Sequence, residues 1–335
     1  LDWLTSLQTK HATDPAPYTG PSGKPHRTAG QAFIDDMIST TSAMRGTRKA
    51  LMVSADFFAV HDGAFNLNKT LAALLEFTED NKLKMFAPLG QPFDESLHIP
   101  RSIEIPNNSA QYEIDCARNR LCSGVDLGNE ERLELLQFIV DKTANLTFVI
   151  EAIEPDTPFL YLGVWLTAGL HYFRALIEAK SVADLAAAAL MVTSIKPKEV
   201  QQVARAVPTA QAVYKLKCTS LGKLDMAPVD TKLRAAVRTK SGFCRSMANH
   251  VMDGTVYESI CNSVLAERVM TLLRLLRLDN PASGAMQGSI HRLQRWLGTS
   301  VPALEYEHAA LIGWDGTWIS ALAIWLSETS LTVTG

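Results

Sequence analysis

The chain has 335 residues, 47% hydrophobic and 20% charged, and its 32 Lys and Arg against 35 Asp and Glu leave a net charge of −3. That balance excludes a globally basic nucleic-acid-binding domain, and five scattered cysteines (Cys116, Cys122, Cys218, Cys244, Cys261) exclude a disulfide scaffold and read as reduced thiols. Ordinary globular chains carry about 25% charged residues, so with a mean hydropathy of +0.03 the composition predicts apolar surface that copies of the chain cover for one another.

Residues 1–10 place Trp3, Leu4 and Leu7 on one face of a short amphipathic helix, and Asp2 with its polar neighbours does not read as a secretory leader. Residues 11–30 hold Pro15, Pro17, Pro21 and Pro25 with Gly20, Gly23 and Gly30, so they are extended or irregular. Together 1–30 form an arm that reaches a neighbouring subunit or lies along its own domain. Apolar spacing predicts helices over 31–44, 47–60 and 66–79. Four prolines make 82–106 a long surface excursion, with KLKMFA and SIEI as short strands. Helices follow over 110–121 and from Gly128-Asn129 onward, where Glu130 and Glu131 occupy a first turn that favours acids. Residues 147–153 read as a strand or as a continuation of that helix.

The uncharged run PFLYLGVWLTAGL, opened by Asp156-Thr157-Pro158, predicts a helix over about 157–180. A helix apolar on all sides is buried on all sides, which makes it the central spine. Its uncharged part is shorter than the roughly 20 residues that cross a bilayer, and no membrane role is expected. Ser181-Val182-Ala183-Asp184 resembles a capping box and opens the next helix; 198–206 and 209–218 are helices broken at Pro208. A helix over 230–251 breaks near Gly242. Thr255-Val256-Tyr257-Glu258 caps the longest amphipathic helix, which Asn280-Pro281 ends. Helices over 285–297, 302–312 and 315–327 close the chain. The fold class is mainly α: a single large helical domain, 31–335, around the buried helix 157–180. It has few short strands, long Pro-rich loops and a finer division into lobes 31–155 and 156–335.

No pattern carries catalysis. Gly20-Pro21-Ser22-Gly23-Lys24 lacks the first glycine and the final Ser or Thr of a phosphate loop, and Asp35-Asp36 lacks the third carboxylate of a metal-binding helix, Ser39 standing there. His61-Asp62, Glu307-His308 and Ser246 with His250 are the local pairs for acid–base or nucleophilic work, without a signature around them. His171 reads as an at least half-buried packing group. No catalytic residue, cofactor or metal is expected. The basic signal is stronger: Lys232, Arg234, Arg238, Lys240 and Arg245 fall within 231–252, which contains no acid. Lys232, Arg234 and Arg238 are expected on one helix side with Lys240 just beyond, and Arg274, Arg277, Arg292 and Arg295 add charge later. Such a face neutralises phosphates without reading bases; the other reading is a solvated face tied by ion pairs.

The first functional expectation is therefore a non-enzymatic, self-assembling structural protein. Its specific form is the capsid protein of an RNA virus, cytoplasmic and then part of the virion, with a local basic face toward the genome. Phe243 is the one aromatic among the cations, too few for a single-strand groove, which favours a shell over a sheath. The alternatives are an all-α enzyme with a site assembled from His171, His250, Glu307 and His308, and a helical scaffold or adaptor.

Overall fold

Alternating isoleucines shape the first part of the chain. The computed structural model describes residues 16–19, 25–28, 30–33, 36–39, 41, 44–60, 66, 69–123, 127–244, 246–248, 251–252, 257–278, 281–298, 300–305 and 317–329. It divides into two units, one centred on Arg27–Pro155 and the other on Asp156–Gly335. The described chain is mainly helical overall; the first unit mixes three helices with short strands, and the second is the more helical.

Near the start of the chain β1 (Ala16–Thr19) pairs with β2 (Pro25–Thr28), and in the first unit β3 (Gly30–Phe33) pairs antiparallel with β4 (Asp36–Ser39). The expected helix over 31–44 is thus a hairpin: Phe33 and Met37 have helical spacing, but cross-strand pairing from Gly30↔Ser39 to Phe33↔Asp36 wins. Helix α1 (Met44–Val60) follows. The expected helix over 66–79 is also absent. Its centre, β5 (Leu71–Ala73), is drawn into a sheet, and its end turns at Asn81 (φ 58°), where Phe77 bridges Leu83. Beyond it, β6 (Met85–Phe86) and β7 (His98–Ile99) pair within the Pro-rich excursion.

Strand β8 (Ser102–Pro106) leads to helix α2 (Asn108–Cys122), helix α3 (Asn129–Thr143) and strand β9 (Thr147–Ile153). The sheet order is β5–β9–β8, with β9 antiparallel to β8 and parallel to β5. Period-two alternation puts Ile103, Ile105, Ile150 and Ala152 on one face, and α1 covers it with Leu51, Met52 and Ala55. Asn107 caps α2 by accepting from the Ala110 N–H at 3.1 Å. Ion pairs Arg120–Glu131 and Glu113–Lys142 fix α2 and α3 as an antiparallel pair.

The second unit opens where the spine helix over 157–180 was expected, and the chain there does something else. Strands β10 (Phe159–Tyr161) and β11 (Val164–Leu166) form a hairpin around Leu162 (φ 48°) and Gly163 (φ 75°). Two successive positive φ values match the right-handed twist of the strands. Aromatic and β-branched residues suit a short half-buried pair, and length alone had favoured a helix. Tyr214 Oη donates to the Leu162 carbonyl at 2.6 Å and holds the turn.

The buried helix is instead α4 (Phe173–Val192), covered on one stripe only. Ala175, Ala179, Ala183 and Ala187 recur every four residues and end at Leu190, all buried. Small side chains at that spacing let two neighbours approach closely. Those neighbours are α6 (Ala210–Leu216) and α8 (Thr231–Lys240). Ser181 and Asp184 sit inside α4 and cap nothing. Helix α5 (Pro197–Ala204) runs into α6 through a π-helical turn, Arg205–Thr209, so Pro208 does not end the helix. Its missing N–H and ring are accommodated by the widened turn. Helix α7 (Lys223–Met226) precedes α8. Gly242 (φ 77°) closes α8, as its freedom from Cβ strain allows.

Helix α9 (Ile260–Arg277) is capped by Ser259, whose Oγ accepts from the Asn262 N–H at 3.1 Å; the cap lies one turn beyond the Thr255–Glu258 box. Helix α9 stops at Arg277, short of Asn280-Pro281 as expected; helix α10 (Pro281–Leu297) begins at Pro281 rather than at Ala285, and α11 (Trp318–Glu328) is almost wholly apolar. At the centre lies Arg268 of α9, 0% exposed. Its guanidinium donates to the carbonyls of Leu216 (3.3 Å) and Leu221 (2.9 Å) and to Thr219 Oγ1 (3.2 Å), and stands 5.5 Å from the Trp325 ring centroid. No carboxylate pairs with it among the described residues; burial lowers its pKa to about 10. Trp318 Nε1 donates to the neighbouring Lys217 carbonyl at 2.8 Å.

Arg268→Ala should expose this dependence. Each buried carbonyl left unpaired costs roughly 1–3 kcal/mol, so the urea midpoint followed by circular dichroism should fall markedly. A midpoint unchanged from wild type would contradict the assigned role.

Candidate functional site

Helix α8 carries four of the five cations singled out in the sequence, and its geometry divides them. At 3.6 residues per turn, Lys232 and Lys240 point toward α4, while Arg234 and Arg238 point the other way. Lys232 Nζ meets Asp184 Oδ2 at 2.7 Å, and Lys240 Nζ donates to the Thr193 carbonyl at 3.0 Å. Thr193 is the C-cap of α4, so Lys240 satisfies a helix end where a cation is favoured. These two contacts make α4 and α8 run in the same direction.

On the other side, Arg234 Nη2 lies 3.4 Å from Asp230 Oδ2, and Arg238 Nε points at Met252 Sδ, 3.0 Å away. Asp230, 2% exposed, also accepts from the Ile260 N–H at 2.9 Å. It therefore sits at the start of α8 and the start of α9 together, where a carboxylate offsets both helix dipoles. Tyr257 and Cys261 border it. Burial, reinforced by the Asp230 charge, pushes the Tyr257 phenol up, and the same causes raise the Cys261 thiol to about 11. All four described cations are engaged with their own chain, and phosphate contact through them competes with these partners. Arg245 lies outside the described residues.

Between α4 and α8 the alanines leave a trough of about 410 Å³. Ala187, Ala188, Ala235 and Ala236 form its floor, Met191 and Thr239 one end, and the Lys232–Asp184 pair the other. A second concavity of about 380 Å³ lies within the excursion, between Leu89, Phe93 and Arg101. Arg101 is committed there, donating to the Ala87 carbonyl at 2.8 Å and stacking over Phe86. Both hollows are predominantly apolar, which suits packing more than acid–base chemistry.

The alternative catalytic candidates do not converge among the described residues. His171 is exposed rather than half buried, because the residues expected in a helix form a surface turn; its Nε2 stands 3.4 Å from an exposed Asp156 carboxylate. Ser246 Oγ pairs with Cys244 Sγ at 2.8 Å, a contact that lowers the thiol pKa. His61, Asp62, His250, Glu307 and His308, like the 1–10 helix and Gly20–Lys24, lie outside the described residues. Among the described residues no three His, Cys, Asp or Glu side chains are grouped to hold a metal ion, and no helix is long and apolar enough to cross a membrane.

What the sequence pattern did not single out is an excess of apolar side chains pointing outward. On α3 the half-buried residues Glu131, Leu135, Ile139 and Lys142 face α2, and no residue is fully buried. Leu133, Leu136 and Val140 occupy the opposite side and are 67%, 51% and 63% exposed. On α4, Phe173, Ile177, Leu185 and Val192 are exposed opposite the alanine stripe. The signal was present: Leu133, Leu136 and Val140 have i, i+3, i+7 spacing, a second stripe beside the one α2 uses. No protein-family model, curated protein or solved structure matches the chain.

Two measurements check these assignments. Arg234→Ala leaves the buried Asp230 carboxylate short of its counter-ion and should cost about 3–5 kcal/mol, whereas Lys232→Ala removes an exposed pair worth under about 1 kcal/mol; urea unfolding of both variants orders them. For Cys261, the unfolded thiol ionises near its ordinary 9.0 while the folded thiol holds its proton to about 11. The unfolded state thus loses protons first, and stability that is full below pH 9 declines as pH rises toward 11. Cys261→Ala should remove that part of the alkaline slope.

Proposed function

We propose that the protein is a non-catalytic structural subunit that associates with copies of itself, and that its specific form is the shell protein of an RNA virus. The observation that carries this reading is α3. It buries no residue of its own, yet presents Leu133, Leu136 and Val140 to solvent on the side away from α2. Burying a leucine-sized side chain is worth about 1.5–3 kcal/mol, so a continuous stripe of this kind favours association strongly. The exposed stripe of α4 adds a second apolar face on the other unit. Two separate faces on one chain support extended assembly more than a closed pair.

Genome contact, in this reading, falls to cations the fold leaves unengaged. Arg274 and Arg277 on α9 and Arg292 and Arg295 on α10 are exposed and outside every ion pair among the described residues. A few such contacts hold RNA by phosphate alone.

Size-exclusion chromatography with light scattering tests the reading. The expected result is a mass of at least two 36.7 kDa chains that grows with concentration; a monomer at every concentration would overturn it. In assembled particles, Arg292→Glu with Arg295→Glu should lower the 260/280 nm absorbance ratio, and an unchanged ratio in RNA-containing particles would remove these arginines from the genome contact.

A further inference from the structure

Two surfaces on this chain fit one another in length, polarity and charge. The first is the outer face of α3. Its apolar stripe spans eight residues, from Leu133 to Val140, a rise of about 10 Å at 1.5 Å per residue. Glu130, Glu134 and Asp141 stand along one edge, all exposed, with Arg132 on the other. Neither Glu130 nor Glu134 has an ion-pair partner among the described residues, because the pairs that join α3 to α2 use Glu131 and Lys142.

The second surface is the α4–α8 trough. It runs from Asp184 to Met191 on α4 and from Lys232 to Thr239 on α8, again eight residues on each wall. Its floor is alanine, so an incoming helix approaches close to both backbones. Leu185 and Val192 extend the apolar surface outward along α4. Lys232 lines the trough; Lys180 stands one turn before Asp184 on α4, exposed and without an ion-pair partner among the described residues, and Lys240 follows Thr239 at the other end. Three lysines thus accompany one aspartate along the trough, and three acids accompany one arginine on α3.

We infer that α3 of one copy lies in the α4–α8 trough of the next. The apolar stripe fills the alanine floor, and the acidic edge meets Lys180 and the exposed side of Lys232. This is the helix-in-groove mode, with apolar anchors at i, i+3 and i+7. Since the two surfaces differ and both belong to the same chain, the contact is head to tail and repeats from copy to copy, closing into a ring or growing as an open array. The inference rests on the self-association proposed above and names its contact.

The test uses the full chain with one variant on each surface, Leu136→Glu on α3 and Ala235→Trp on the trough floor. Both positions are exposed, and circular dichroism checks that the variants keep wild-type helicity. Truncating or repelling a central anchor is among the most costly changes at an interface, so each variant alone should associate at least about thirtyfold more weakly and run as a monomer by light scattering. Mixed in equal amounts, they should form a complex of two chains and no larger, because the Ala235→Trp copy keeps an intact α3 and the Leu136→Glu copy keeps an open trough. If both variants retain the wild-type assembly, this contact is wrong while self-association stands. If each variant alone runs as a dimer, each surface binds its own kind and the head-to-tail contact is overturned; if both are monomeric and do not pair on mixing, the two surfaces do not bind one another and it is overturned as well. A monomeric wild type overturns the contact and the proposed function together.

Discussion

A buried guanidinium held by main-chain carbonyls organises the second unit. Taking a guanidinium out of water costs several kcal/mol unless its donors are met, and Arg268 meets those of Nη1 and Nη2 with backbone carbonyls and a hydroxyl rather than a carboxylate, while its buried Nε has no hydrogen-bond partner among the described residues. Those carbonyls belong to the end of α6 and the turn beyond it, the negative pole of that helix. The arrangement is mutual. The α6 end and its turn would bury unpaired acceptors without Arg268, and Arg268 could not stay charged in the core without them. Trp325 covers the guanidinium, and Trp318 takes the Lys217 carbonyl, so α11 is tied to the same turn. Three helices distant in sequence are thereby fixed by one short stretch of main chain.

Asp230 has a similar part with the opposite sign. It serves the first turn of α9 through the Ile260 N–H while Arg234 of α8 balances its charge. That contact sets the direction of α8, and the direction of α8 sets where Lys232 and Lys240 fall relative to α4. The trough is therefore a consequence of polar contacts on its far side combined with alanine on its near side. Larger residues at 183 or 187 would separate the helices, and the hollow would lose its shape.

The legible parts of the sequence were those in which local pattern and tertiary demand agree. Helices near 47–60, 110–121, 129–143 and 285–297 have apolar spacing, caps or acidic first turns that nothing else overrides. The segments 31–44 and 66–79 have comparable spacing but are claimed by strand pairing, which a local pattern does not contain. The uncharged stretch after Asp156 is the clearest case. Its length argued for a helix, whereas Leu162 in the left-handed region and the hydrogen bond from Tyr214, 52 residues away, depend on the rest of the fold. The basic cluster was visible as composition, but helical phase sent its members to two sides and neighbours engaged them. Arg268 was readable in hindsight: it interrupts the apolar line Val264, Leu272 on α9, and a charge on a core stripe signals a buried network.

The widened turn at Arg205–Thr209 sets the phase of everything after it. It holds one residue more than a regular turn, so α6 is rotated by about 100° from the course that α5 alone would dictate. That rotation brings Ala212, Val213 and Leu216 inward and aims the final carbonyl at Arg268. Chain length here therefore matters more than side-chain identity. Loss of a single residue would restore an unbroken spiral, turn the inward row toward solvent and carry the carbonyl away from its guanidinium. Many substitutions at the same positions would leave the winding intact. Insertions and deletions in this one segment are thus a more severe lesion than their size suggests.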